Sequence, residues 1–581
     1  MARRVSEVQA EERAKPPARG SVDCPVLIVG GGVVGLTAAL FLAQLGLRPV
    51  LVERHPSTSI HPRARGVNGR TAELLRELGL EATVRSAGAQ LAPAVGIYSG
   101  RSLAEVLAAR GDGGWIAQYF RKRSFAGRPS RRSPTGPCRC TQDELEPILL
   151  AAARERGVDA RLFTELTSFE EDAESVRCTL LDRASGERSI LCARYLIGAD
   201  GAKSSVREAL GIRRSNPLPG GHQMNLYFRA DLSALVRGRE FSMCLVEQPG
   251  LFGLFASINN RDRWVLHVAY SPERGERPED FVPSRCIELI RRATGLPELE
   301  VELKGALPWE STTRIADRYR VGRVFLAGDA AHVMPPWGGF GANTGIQDAH
   351  NLAWKLHGVL EGTAGPRLLD SYEAERRPIA LAVGQIAASM NDPRGLMAIA
   401  RSPLGMLWGM RRVFPYLGVG YGYASDAIAL EPGAAAGPAC RELDGRPGTR
   451  APHVWLQRPR GPVSTPGSAA DLSTLDLFGR HHVLLVGERA DVWQRVGLWL
   501  SSHRAVPLET LRVGTDVLDP AGRLPRAFGI KSDGAVLVRP DGFVAWRARR
   551  APTSSSCGYD ELLRTLEHTL CREALPQGRA A

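Results

Sequence analysis

The residues with the clearest chemical use lie near the start of the chain, at Gly30-Gly31-Gly32-Val33-Val34-Gly35, which fit the spacing GxGxxG. In such a run the first glycine permits a tight turn and Gly32 lets a pyrophosphate approach the backbone. Gly35 lets a helix and a strand pack closely, with the helix N-terminus facing the anion. Glu53, followed by Arg54, closes the next apolar run, where a carboxylate can accept both hydroxyl hydrogens of an adenosine ribose. An acidic residue there favours FAD or NAD over NADP. Two later apolar runs also end in a Gly/Asp turn, at Asp200-Gly201 and at Asp329. The Asp329 side chain is equally suited to capping the segment that follows it. The run from Gly338 to Asn343 leaves the amides of Gly341, Ala342 and Asn343 unobstructed ahead of a helix expected from about Thr344, and such a terminus stabilises negative charge. Neither a Ser/His/Asp constellation nor metal-ligand spacing accompanies these residues.

The elements that must position them follow from patterning. Pro25–Val29 is a short apolar run, as a buried parallel strand should be. Val34–Leu45 has helical spacing, and Arg48–Glu53 is a second strand. Arg194–Asp200 and Arg323–Asp329 are further strands that return to the same sheet, so the nucleotide-binding domain is discontinuous. Between them Met224–Arg229, Phe241–Glu247, Leu251–Ile258 and Arg263–Tyr270 alternate in character and predict an antiparallel sheet. Helical patterning continues from Gly345 to about Leu360 and over Ser371–Met390. A Gly/Ala/Pro-rich stretch, Glu431–Cys440, marks a linker. Beyond it comes a small α/β pattern with strands at His482–Val486, Leu511–Val513, Ala535–Arg539 and Phe543–Trp546.

The GxGxxG spacing alone does not separate FAD from NAD. Three ordered runs do. Tyr195 to Arg207 (YLIGADGAKSSVR), Val324 to His332 (VFLAGDAAH) and Pro335 to Lys355 (PPWGGFGANTGIQDAHNLAWK) resemble the DG and GD motifs of the aromatic-hydroxylase group of flavoprotein monooxygenases. The resemblance covers roughly Pro25 to Pro378, and its nearest members look like phenol hydroxylases and the hydroxylases that tailor bacterial aromatic polyketides. It implies an α/β fold: a Rossmann-like FAD-binding domain over 21–395, with a substrate-binding antiparallel sheet inserted at about 220–310. A helical segment and linker follow at 396–443. Residues 444–575 resemble the thioredoxin-like appendage of phenol hydroxylases, here without CxxC, so a packing or dimerisation role is expected of it.

The same resemblance assigns roles. Asp329 would hold the ribityl hydroxyls, and Asp200 and Gly201 would sit near the FAD pyrophosphate. Arg65 and Gln142 match positions that contact FAD, Pro336 lies in the loop over the flavin, and the amides of Gly341, Ala342 and Asn343 would face N1 and O2 of the reduced ring. NADPH or NADH would reduce FAD, O2 would then form a C4a-hydroperoxide, and an electron-rich ring carbon would attack its distal oxygen. The substrate implied is a phenolic aromatic, a polycyclic polyketide intermediate of antibiotic biosynthesis. Candidates to polarise it are His267 and Tyr270. An odd number of positions separates the two, which therefore point to opposite faces of their strand; Trp337 is a candidate pocket wall. A Baeyer–Villiger or ring-rearranging oxygenase is the second reading and a non-catalytic flavin-binding protein a remote one. A flavin halogenase is disfavoured by the missing WxWxIP segment.

Composition narrows the setting. The 581 residues suit two to four domains. The net charge of +13 comes almost wholly from arginine, and a solvated arginine-rich surface accounts for it better than nucleic-acid binding. Its densest run, Arg121 to Arg139, reads as an exposed loop able to attract an anionic cofactor such as NADPH. No apolar stretch is long enough for a membrane span. Residues 1–20 read as a disordered tail rather than a secretory signal. Ten scattered cysteines suit reduced thiols in the cytoplasm.

Overall fold

The computed structural model describes residues 22–91, 96–109, 130–215, 217–392, 394–396, 420–433, 442–459, 472–504 and 506–572. The tail expected at 1–20, most of the helical segment and linker at 396–443, and positions 121–129 of the arginine-rich run lie outside that set.

The apolar run Cys24–Val29 forms the centre of the first sheet. It pairs in parallel with Val50–Glu53 on one side and Arg188–Gly198 on the other. Val324–Leu326 and Asp159–Leu162 extend this parallel core. Strands buried on both faces need covering layers, and the sequence supplies them. Helix Val33–Gln44 is buried over most of its length and packs between this sheet and helix Phe340–Leu360. An antiparallel hairpin, Thr164–Glu171 with Val176–Asp182, continues from Arg188–Gly198.

The second sheet is wider than the four strands predicted. Its order is His332–Val333, Glu302–Ile315, Leu218–Arg229, Arg263–Tyr270, Leu251–Ser257, Met243–Gln248 and Ile97–Gly100. The long strand Glu302–Ile315 escapes sequence patterning because it carries Gly305 and Pro308 and no sustained alternation. Ile97–Gly100 is contributed from far upstream and pairs in parallel with Met243–Gln248. One face of this sheet packs Met224, Leu226, Phe228, Leu266, Val268 and their neighbours onto helix Pro283–Thr294. The other face looks toward the first domain.

The C-terminal domain has strand order Leu508–Arg512, His482–Val486, Ala535–Val538, Val544–Ala548, the first pair parallel and the rest antiparallel. Helices Asp491–His503 and Ser555–Thr569 pack against one another beside it, a thioredoxin-like arrangement. Its Arg539 reaches into the first domain, where both terminal nitrogens bond the Glu375 carboxylate at 2.6 and 2.9 Å. Asp541 accepts from the same guanidinium, and Lys355 Nζ donates to Glu375 at 2.9 Å. All four side chains are buried.

This network sets an acid limit. Burial alone would raise the Glu375 and Asp541 carboxyls, but Arg539 outweighs it, with Lys355 helping at Glu375, and holds both below their ordinary values. A carboxyl depressed in the folded state contributes stability above its unfolded value and loses it as pH falls through the folded one. Stability is therefore expected to fall progressively below about pH 4.5, the ordinary glutamate value. Denaturant unfolding at a series of pH values checks this; a constant midpoint from pH 6 to pH 2 would overturn it.

Candidate active site

The glycine turn is built as its spacing predicts. Gly30 has φ 111°, and a Cβ there would lie 2.4 Å from the Ala199 carbonyl oxygen. A Cβ on Gly35 would lie 1.9 Å from the Gly30 oxygen, so strand and helix touch backbone to backbone. Around Gly32 the nearest atom to such a Cβ is Glu146 Oε1, at 3.6 Å, leaving the space a pyrophosphate needs. Glu53 ends its strand with Oε2 accepting from the Gly31 amide at 2.6 Å and Oε1 accepting from the His55 amide at 2.9 Å. Arg54 is exposed beside it.

Glu146 joins the site through its contacts with backbone amides. Oε1 accepts from the Val33 amide at 3.1 Å and from Gln142 Nε2 at 2.7 Å, while Oε2 accepts from the Ser59 amide. It therefore ties helix Gln142–Glu155 to the start of the glycine-turn helix. The available signal was a carboxylate four residues after Gln142, on the helix face that carries Leu145 and Leu149 inward.

Glu53→Ala removes the acceptor for a ribose and leaves the Gly31 amide without its partner. Hydrogen bonds to charged groups contribute about 1.5–3 kcal/mol, so FAD affinity of the refolded apoprotein should fall about ten- to hundredfold. Flavin fluorescence titration reads this, and an unchanged Kd would contradict the assignment.

The second turn is fixed from beneath. Asp348, fully buried, accepts from His332 Nε2 at 2.6 Å, from Arg376 Nε at 2.7 Å and from the Gly328 amide at 3.2 Å. These bonds hold the backbone so that Asp329 opens into the cleft: its side chain reaches solvent there, although protein surrounds it deeply enough that desolvation raises its carboxyl. Asp200 Oδ2 bonds the Val206 amide and Ser205, while its buried Oδ1 has no partner among the described residues. Gly201 has φ 83° and open space about its Cα.

The helix expected from Thr344 starts earlier, at Phe340. Gly338 and Gly339, with φ of 84° and 66°, complete the turn by themselves, and Pro336 is exposed with its carbonyl accepting from the Gly339 amide. The amides of Gly341 and Ala342 thus lie in the first helical turn, free of intrahelical partners. Asn343 plays a different part: its side chain accepts from the Asn68 amide at 2.9 Å and donates to the Gly66 carbonyl at 3.1 Å, clamping the Arg65 loop against the helix.

Arg65 reaches from that loop to the second sheet, donating to the Ser257 carbonyl at 3.0 Å. No carboxylate faces it or Arg139 among the described residues. Burial lowers both, Arg65 to about 9 with Arg139 adding to the effect and Arg139 to about 10, so both stay charged near neutral pH. Two half-buried cations without a carboxylate partner call for an anion.

His267 and Tyr270 do point to opposite faces. His267 lies on the face toward the first domain, its ring 5.8 Å from that of Trp309. Tyr270 packs in the core behind the sheet against Phe281 and drops out as a cleft residue. Trp337 is 3 % exposed, its Nε1 donating to Asn391 and its ring within an apolar cluster with Leu245, Phe252, Leu254 and Phe340. It backs the cleft rather than presenting an open wall. A surface groove of about 640 Å³ lies elsewhere, along Ser284–Pro297, and contains none of these residues.

The space at Gly32 and Gly341, the amides of two helix N-termini, the accessible carboxylate of Asp329 and the unpaired Arg65 and Arg139 together fit an elongated dinucleotide carrying a pyrophosphate, polyol and anionic ring. The class so defined is a flavoprotein with a Rossmann-like FAD domain and a sheet closing over its cleft. The chain matches the FAD binding domain family over residues 23–387 and the aromatic-ring hydroxylase C-terminal family over residues 444–572, and it belongs to the FAD-dependent aromatic-ring monooxygenases.

It is 43% identical over 557 residues to a putative polyketide hydroxylase of Streptomyces halstedii, covering 94% of this chain and 96% of that one. It is 41% identical over 585 residues to the tetracenomycin A2 monooxygenase-dioxygenase of Streptomyces glaucescens, covering 96% and 99%. Among solved structures, aklavinone-11 hydroxylase in complex with FAD and aklavinone superposes with a TM-score of 0.79 at 36% identity, covering 95% of this chain and 100% of that one. No helix among the described residues is long and apolar enough to cross a membrane, and they hold no group of metal-ligating side chains.

Proposed function

We propose that this flavoprotein uses NAD(P)H and O2 to place a hydroxyl group on a polycyclic, phenolic aromatic substrate of the polyketide type. The observation that carries the reading is that the flavin-binding loop faces the second sheet, with Trp337 and Phe340 packed against Leu245, Phe252 and Leu254. On one side lie the helix N-terminus at Gly341 and the carboxylate of Asp329, and on the other a sheet face with both apolar and polar side chains. Bound FAD supplies the redox and oxygen-activating chemistry. The protein's part is position, charge and dryness. Gly341 and Ala342 direct amides and the helix dipole at a ring that becomes anionic on reduction. Asp329 orients the polyol chain. Arg65 stabilises negative charge on a phenolic oxygen held near His267, which burial first and Arg65 second push down to about 3, leaving a neutral imidazole that can accept a hydrogen bond from a hydroxyl. Leu245, Leu254 and Phe252 pack with Trp337 and Phe340 in a buried apolar cluster that keeps water from that side.

The domain division, 21–395 with the sheet inserted, then 444–575, belongs to the same proposal, as does a homodimer. The nine described cysteines are all free, which suits the cytoplasmic setting proposed.

The test is to purify the protein, record its flavin spectrum, follow NAD(P)H oxidation with a panel of polycyclic phenols and mass-analyse the products. A product with one added oxygen and an intact ring system is expected. A colourless protein that neither retains FAD nor oxidises NAD(P)H would overturn the reading, and a lactone product would favour Baeyer–Villiger oxygenation instead.

A further inference from the structure

On the cleft face of the second sheet four polar side chains sit side by side. Asn225 is directly opposite His267, and Gln223, two residues along the same strand, is directly opposite Trp309. Directly opposed residues hold their Cβ atoms about 4.5–5.5 Å apart on one face, and the 5.8 Å separation of the His267 and Trp309 rings across the central strand brings all four into one patch.

Each has an atom shielded from solvent with no hydrogen-bond partner among the described residues: Gln223 Oε1, Asn225 Oδ1, His267 Nδ1 and Trp309 Nε1. Gln223 is fully buried and Asn225 is 7 % exposed. One orphaned polar atom is an ordinary irregularity; four on adjoining positions of three strands are not, because each lost hydrogen bond costs free energy and such groups are normally satisfied. The Gln223 amide has a defined orientation, since its Nε2 donates to the Gly395 carbonyl at 2.8 Å and leaves the oxygen as the free acceptor. Trp309 Nε1 can only donate. The patch is also joined to the flavin side of the cleft, through Asn343, the Gly66–Asn68 loop and Arg65, whose charge is felt by His267.

We propose that Gln223, Asn225, His267 and Trp309 form a recognition edge that reads a hydroxyl and a carbonyl displayed together on one side of a fused aromatic ring system. Gln223 Oε1 and Asn225 Oδ1 accept from ring hydroxyls, Trp309 Nε1 donates to a ring carbonyl, and neutral His267 takes whichever role remains. A simple phenol satisfies one of these groups and leaves the others orphaned, so the edge discriminates hydroxylated polycyclic ketones from monohydroxylated aromatics. This rests on the cleft being the substrate site, as proposed above, and names the feature of the substrate that is recognised.

The test uses the FAD-loaded full chain, with Trp309→Phe, which keeps a ring and removes the donor, and Asn225→Leu. Two probes, 2-hydroxyanthraquinone and 2-naphthol, are titrated against the flavin absorbance. Each variant should bind the anthraquinone about tenfold more weakly, the loss of one hydrogen bond, with 2-naphthol affinity and FAD content unchanged. Equal weakening of both probes would mean that the residues only pack, and unchanged anthraquinone affinity in Trp309→Phe would mean that the donor is not used; either overturns the recognition edge. Parent protein that retains FAD and oxidises NAD(P)H but binds the anthraquinone no better than 2-naphthol overturns it as well. Failure of the underlying function looks different: the parent then retains no flavin or consumes no NAD(P)H.

Discussion

Gly35→Ala is expected to yield a protein that no longer retains FAD and unfolds at markedly lower denaturant concentration. The added Cβ would sit 1.9 Å from the Gly30 oxygen and 3.3 Å from Ile28 Cγ2. The first clash is with backbone, so no rotamer change relieves it. The helix Val33–Gln44 must move away from its strand, yet it is wedged between the first sheet and helix Phe340–Leu360. Overpacking a tight core costs about 1–3 kcal/mol and sometimes more; with both partners immobile the upper end applies, about 3 kcal/mol. The same displacement shifts the amides that face the pyrophosphate, so flavin affinity suffers beyond the loss of stability. Flavin-to-protein absorbance ratio and urea unfolding of purified material measure the two effects separately. Gly79→Ala is a useful comparison: its added Cβ meets nothing within 4 Å and leaves only the cost of φ 71°. A Gly35→Ala protein with full flavin content and unchanged stability would show that the close contact is not needed.

The second large effect is expected at Arg539→Ala. The guanidinium carries four bonds to Glu375 and Asp541, at 2.5–3.0 Å, with every participant removed from water. Deleting it leaves two buried carboxylates with Lys355 as the one cation bonded to them, besides the neutral donors Asn351, Ser425 and the Phe543 amide. Breaking a buried ion pair by removing one partner costs about 3–5 kcal/mol, because the remaining charge stays desolvated. The loss should show as loosening of the C-terminal domain from the helices that carry Glu375 and Lys355. Hydrogen exchange is expected to rise over Asp370–Ala388 and Ala535–Ala548. Arg367→Ala supplies the contrast, since Arg367 and Asp426 form an exposed pair at 3.7 Å, of the kind that contributes little. If the two variants unfold alike, the buried network does not hold the domains together.

Much of this was legible in the linear chain. The strand–turn–helix–strand unit from Cys24 to Glu53 is encoded locally: short apolar runs, glycines at fixed offsets and a terminal carboxylate need no knowledge of distant residues. For the same reason the Gly/Asp turns at Asp200 and Asp329 were visible, and so was the opposition of His267 to Tyr270, since strand parity is a property of the backbone. The helix starts four residues before the apolar pattern indicates, because the φ values of Gly338 and Gly339 decide where the turn ends.

What needed the tertiary structure is everything set by pairing between remote segments. Parity says that His267 and Tyr270 oppose each other; only the packing of helix Pro283–Thr294 behind the sheet decides that Tyr270 is core and His267 faces the cleft. The roles of Glu146, Asp348 and Arg539 depend on partners 113, 16 and 164 residues away, and no local spacing encodes such distances. The flavin turn is thus a property of consecutive residues, whereas the substrate edge formed by Gln223, Asn225, His267 and Trp309 exists only because strand register brings three separate segments onto one face.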